Sequence, residues 1–181
     1  MYYSLENKNN SLKNFEYELA NMFIENNKPP LFLCVGNSKI VDDSLGAIVG
    51  TLLKDYYKIN SPVLGNHKYS LFGTSLNHAL TLLKTKYYNY NIVVIDASIG
   101  SLDNLYNISL NPFGINIDCL KSNKIVGNIS ISSVTYVGKI TNLILLNSEK
   151  KKYVFEVANF IACGIYNALK IYKNLTEKEV V

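Results

Sequence analysis

The chain has 181 residues, 48% of them hydrophobic, a mean hydropathy of +0.06 and a net charge of +4. That suits one folded domain, residues 1–181, with a sizeable core. All 18 basic residues are lysines scattered along the chain, and without arginine to make bidentate phosphate or guanine contacts the composition points away from a nucleic-acid reader.

Residues 1–10 are polar and predict a loose tail. Ser11 can cap a first helix that carries Leu12, Phe15, Leu19, Met22 and Phe23 on one face. Pro29 and Pro30 end it. The apolar run 31–35 then predicts a short buried strand, stopped at Gly36 and Asn37. A polar loop with adjacent carboxylates, Asp42 and Asp43, leads to Ser44. From there Leu45, Ile48, Val49, Leu52, Leu53, Tyr56 and Tyr57 share one face of a helix over 44–58. In open α/β sheets such a loop lies at the carboxyl end of a strand, where ligands bind. The same acids also suit a helix N-terminus as caps. Nucleotide-cradling glycine patterns are absent, and two carboxylates there would repel a phosphate.

An extended segment over 62–72 ends at Phe72-Gly73-Thr74, and a helix follows over 75–87 with His78 in its first turn. Asn91-Ile-Val-Val-Ile-Asp96 has the apolar, β-branched character of a strand buried on both faces, as in a parallel sheet. It is expected to end on Asp96, before Ala97-Ser98-Ile99-Gly100. Asp96 reads either as a turn residue or as a second acid at the same sheet edge. Residues 105–110 predict a short strand, Asn111 to Gly114 a turn, 115–128 irregular chain, and 127–135 a strand. A helix is expected over 139–148 and a longer one over 151–173, before a charged tail over 174–181. Strands alternating with helices predict a three-layer α/β/α sandwich on a mixed, mostly parallel sheet.

Cys34, Cys119 and Cys163 are odd in number and widely spaced, which predicts thiols in a reducing compartment rather than disulfides or a zinc knuckle. The polar N-terminus has no signal-like core, and no uncharged apolar run reaches ~20 residues. A soluble cytoplasmic chain without a membrane partner is expected.

The segments Gly36-Asn-Ser-Lys-Ile-Val-Asp-Asp43-Ser-Leu-Gly46 and Val94-Ile-Asp96-Ala-Ser-Ile-Gly100 resemble those of the YyaC-type sporulation proteins of spore-forming Firmicutes. That family is related to the spore germination protease and, more distantly, to hydrogenase maturation endopeptidases. Phe72-Gly73-Thr74 with His78, Leu110 to Gly114, and Val126 to Ile131 are similar to further segments of the family in the same order. Ala47, Asp42, Ser98 and Asn128 depart from its usual residues. The resemblance implies a phosphorylase/hydrolase-like fold, a peptidase acting on a protein or peptide, and Asp43 and Asp96 as its catalytic pair. Gly36, Asn37, Ser44, Gly46, Gly73, Thr74, His78 and Gly100 would support the site or bind substrate.

Two carboxylates at neighbouring strand ends can share a proton and work as base and acid on a peptide bond. With His78 they could instead hold a divalent metal that activates water, for peptide hydrolysis or for another small substrate. A non-enzymatic sporulation protein, binding partners or assembling on a peptidase-like fold, is the alternative; its acids would only cap and brace loops.

Overall fold

A computed structural model of the chain describes residues 1–5, 7–117, 125–138 and 147–176. Along them run β1 (Tyr2–Tyr3), α1 (Lys8–Asn26), β2 (Pro30–Cys34), a 3-10 turn (Val41–Asp43), α2 (Leu45–Thr51), β3 (Val63–Leu64), α3 (Gly73–Thr85), β4 (Asn91–Gly100), β5 (Ile108–Asn111), β6 (Ile115–Asn116), β7 (Ile125–Val126), β8 (Ile129–Val137) and α4 (Asn147–Thr176). Six strands form one sheet in the order β1-β5-β8-β4-β2-β3. The block β8-β4-β2-β3 is parallel, while β5 and β1 are antiparallel to their neighbours.

The period-2 alternation of β2 and β4 divides their apolar residues between two cores. Phe32, Cys34, Val93 and Ile95 face α1, α2 and α4. Leu31, Leu33, Ile92 and Val94 face α3 and the β6–β7 pair. A sheet covered on both sides reads as continuous apolar runs, and these strands do. The result is the expected three-layer α/β/α architecture.

Helix α4 buries Val154, Val157, Ala158, Phe160, Ile161, Ala162, Ile165 and Ala168 at the centre of the first core. Among the described residues it is the one helix long and apolar enough to cross a membrane, by length and composition, and half of its apolar window is buried inside the fold. Cys34 is buried and Cys163 half-buried. Burial pushes the Cys34 thiol well above its usual range, which removes it as a nucleophile.

Several expectations are corrected. The described residues of 1–10 do not form a loose tail. Tyr2 and Tyr3 pair with Ser109 and Ile108, Tyr3 stacks edge-on against Phe15 at 5.4 Å, and α1 already begins at Lys8. Two aromatic residues that favour extended backbone complete the sheet edge. The helix over 44–58 is interrupted. Its last turn, Leu52–Tyr56, widens to a π turn closed by the Tyr57 amide on the Leu52 carbonyl at 2.8 Å, and Tyr57 lies against Tyr166 of α4. The irregular stretch over 115–128 contains β6 and β7. The strand over 105–110 is confined to Ile108–Asn111. Residues 139–146, Cys119 and residues 177–181 lie outside the described residues, and Asn147 and Ser148 begin α4.

Candidate functional site

The chain leaves β2 through α2, on the first face, to reach β3 at the sheet edge. It returns through α3, on the opposite face, to β4 on the other side of β2. From β4 it continues away from β2, beyond β8 to β5. The connections of β2 and β4 therefore diverge. At such a reversal of strand order a crevice opens outside the carboxyl ends of the two strands, and ligands bind there in open α/β sheets. Both acidic segments emerge at this point.

Register places them closely. Cys34 pairs with Ile95, and the Val35 amide donates to the Ile95 carbonyl at 2.8 Å. Val35 thus stands beside Asp96, on strands about 4.8 Å apart, while Gly36 turns to bridge Leu71. The loop after Gly36 folds back on itself. The Asn37 amide donates to the Asp43 carbonyl at 2.9 Å and to Asp43 Oδ2 at 3.0 Å. This brings the Asp43 carboxylate over Gly36, which adopts φ of +137° and where a Cβ would run into the Asp43 carbonyl oxygen. Gly46 lets the first turn of α2 lie directly on the Val35 backbone. Burial pushes the Asp43 carboxyl above its ordinary value, partly offset by the Asn37 amide.

Neither acid caps α2. That helix has no side-chain cap, and the Ser44 hydroxyl donates back to the Val41 carbonyl at 2.8 Å. Asp42, which also suited a cap, is engaged elsewhere. Its Oδ2 pairs with Lys150 of α4 at 3.2 Å, both side chains being about a quarter exposed. Its Oδ1 is buried with no hydrogen-bond partner among the described residues. Its carbonyl accepts the Thr135 hydroxyl. The pairing of β4 with β8 slips after Ser98–Val134 and resumes at Ile99–Tyr136. Thr135 is the extra residue of this bulge, and bulges re-aim a side chain in this way.

Asp96 does not end its strand. The strand continues to Gly100 because β8 goes on pairing with it after β2 has stopped. On the side that β2 has vacated, Asp96 Oδ1 accepts the Ala97 amide at 2.9 Å. Asp43 and Asp96 both line one cavity of about 570 Å³, with Asp42, Val35, Gly36 and Ser132. Its walls are apolar: Ile40, Phe72, Ile99, Ile115, Ile117 and Tyr136.

The structure joins Gly36, Asn37, Ser44 and Gly46 to the pair through the loop itself. Gly100 closes β4 opposite Val137. Gly73 begins α3 and sets Phe72 at the cavity, while Thr74 and His78 are exposed on α3 and are not among the cavity-lining residues. His78 is not brought to the acids. Among the described residues no group of three His, Cys, Asp or Glu side chains could hold a metal ion, so the donor set does not fit the metal shell of Asp43, Asp96 and His78. Thr135 and Lys150 escaped the sequence reading. Thr135 sits in an alternating run that looks like uninterrupted strand, and Lys150 is one of three consecutive lysines.

Residues 3–164 match the model of a family described as a protein of unknown function, DUF1256. The chain is also similar to the uncharacterized protein YyaC of Bacillus subtilis (strain 168). The two are 22% identical over 140 residues, covering 76% of this chain and 68% of that protein.

Proposed function

The chain belongs to the DUF1256 family, and on that footing we propose that it is a sporulation-associated peptidase in which Asp43 and Asp96 hydrolyse peptide bonds in the cytoplasm. The observation that carries this reading is the meeting of both acids in one apolar-walled cavity at the reversal of strand order. The sporulation setting rests on the resemblance of residues 36–46 and 94–100.

We assign the proton of the pair to Asp43, whose charged form burial disfavours. Its Oδ2 is engaged by the Asn37 amide, so Oδ1 carries the proton and donates it toward the oxygen of the scissile carbonyl. Asp96 is the base. It takes a proton from a water molecule as the water oxygen attacks the carbonyl carbon, then passes that proton to the departing amine. Asp42 stays out of this exchange, its charge offset by Lys150.

Peptide-cleavage assays on wild type, Asp43→Asn and Asp96→Asn, run beside melting curves, test the reading. Loss of cleavage in both variants with the melting transition retained is expected. Wild-type cleavage by either variant would sink the mechanism. A protein that cleaves nothing, and whose variants lose only the ~1 kcal/mol of a loop brace, would instead be the non-catalytic binding protein.

A further inference from the structure

Beyond Asp96 the strand β4 has one edge that is unpaired among the described residues. Its Ile92 amide and carbonyl bond to Asn128, just before β8, and its Ile95 carbonyl accepts the Val35 amide just past β2. Backbone groups alternate sides along a strand, so Ala97 and Ile99 direct theirs away from β8, toward the space that β2 leaves when it stops at Cys34. The Ala97 amide there is taken by Asp96 Oδ1. Among the described residues, the Ala97 carbonyl and the Ile99 amide and carbonyl have no hydrogen-bond partner on that side. An unpaired row of this kind is a template for another strand. It lies in the cavity that holds the two acids, which Ala97, Ser98 and Ile99 line.

The occupant follows from the surroundings. Ile99 is 69% exposed, Phe72 46% and Tyr136 45%, which leaves apolar side chains presented around the edge. Among the described residues, the charged side chains lining the cavity are all aspartates, so an acidic segment would be repelled. We propose that the substrate is an extended peptide segment with apolar, non-acidic side chains, docked as an added strand on Ala97–Gly100. The Ala97 carbonyl and the Ile99 amide would hold its backbone, and the scissile bond would lie beside Asp96. Main-chain pairing supplies affinity and alternate side chains supply selectivity in this mode. The inference rests on the peptidase reading for the fate of the peptide, not for its docking.

The probe is a pool of nine-residue peptides randomised over apolar, hydroxyl, amide, acidic and lysine side chains. It is offered to the full chain, with cleavage and retention on immobilised protein both read by mass spectrometry. The most strongly selected peptide is then N-methylated at each position in turn. Losses of about tenfold or more at alternate positions are expected, since each methyl removes one pairing donor. Ile99→Pro removes the edge amide without touching the β8 ladder, and edge positions tolerate proline. It should weaken binding more than Ile99→Ala does. Should Ile99→Pro fail to fold, the methylation series still decides. Cleavage with no alternation overturns the docking mode and leaves the peptidase standing, and retention with neither alternation nor cleavage overturns both. Retention with alternation but no cleavage overturns the peptidase and leaves the docking mode. Neither retention nor cleavage overturns both.

Discussion

Thr135 donates its hydroxyl to the carbonyl of Asp42, joining the bulge of β8 to a loop 93 residues earlier in the chain. The bond spans the end of β4, because β4 lies between β8 and β2. It secures the 3-10 turn Val41–Asp43, and with it the position of the Asp43 carboxylate relative to Asp96. Thr135→Val should therefore leave a buried carbonyl short of a partner and destabilise the protein by about 1–3 kcal/mol. Peptide cleavage should fall further than stability does, and Thr135→Ser should restore both. Urea unfolding beside the cleavage assay measures the two effects.

Replacing an acid of the pair should remove its proton-transfer role. The expected fall in kcat for Asp43→Asn and for Asp96→Asn is roughly 10²–10⁴-fold. Combining the two substitutions should cost little beyond the larger single effect, since the residues act as a unit. A double variant with the product of the two losses would show that they work separately.

The raised position of Asp43 sets a pH dependence of stability. Its folded pKa lies above its unfolded one, so the folded state holds the extra proton between them. Stability should fall as pH rises through that window, the reverse of an ordinary salt-bridged carboxylate. Asp43→Asn removes this term. Its melting temperature should match or exceed wild type at neutral pH, with the advantage shrinking below the unfolded pKa. Melting curves across pH 3–7 check this. The basic limb of the kcat profile should also move in variants that change burial of Asp43, because activity requires one proton on the pair.

Gly36→Ala should disrupt the loop more than a surface alanine would. It imposes a side chain on φ of +137° and drives it into the Asp43 carbonyl. A loss of about 1–3 kcal/mol is expected, with weakened cleavage at temperatures where the variant is still folded. Denaturant midpoints and circular dichroism separate the two.

His78 is exposed on α3 and is not among the residues lining the cavity. His78→Ala should keep kcat/KM within about twofold and stability within ~0.5 kcal/mol, as surface substitutions do. A large loss of activity would restore the histidine to the site.

Much of this fold was legible from the chain alone. The periodic faces of α1, α3 and α4 and the apolar runs of β2 and β4 are local properties, set by where successive side chains point. The acids Asp43 and Asp96 stood out because each follows a buried strand. Less legible were the features that depend on a distant partner. Tyr2 and Tyr3 form a strand only because β5 offers an edge. Asp96 lies mid-strand only because β8 outlasts β2 as a neighbour of β4. Asp42, next to Asp43 and chemically identical, turns to Lys150, more than a hundred residues away in sequence.

Local pattern sufficed to read an α/β protein with acid following two buried apolar runs. Hydrophobic periodicity and residue type are carried in every short window of the chain. It took the tertiary arrangement to bring the two acidic segments side by side, to make the connections of β2 and β4 diverge around a crevice, and to keep His78 on the surface of α3. Strand order, register and the bulge at Thr135 are settled by pairing between segments tens of residues apart, which no local pattern encodes.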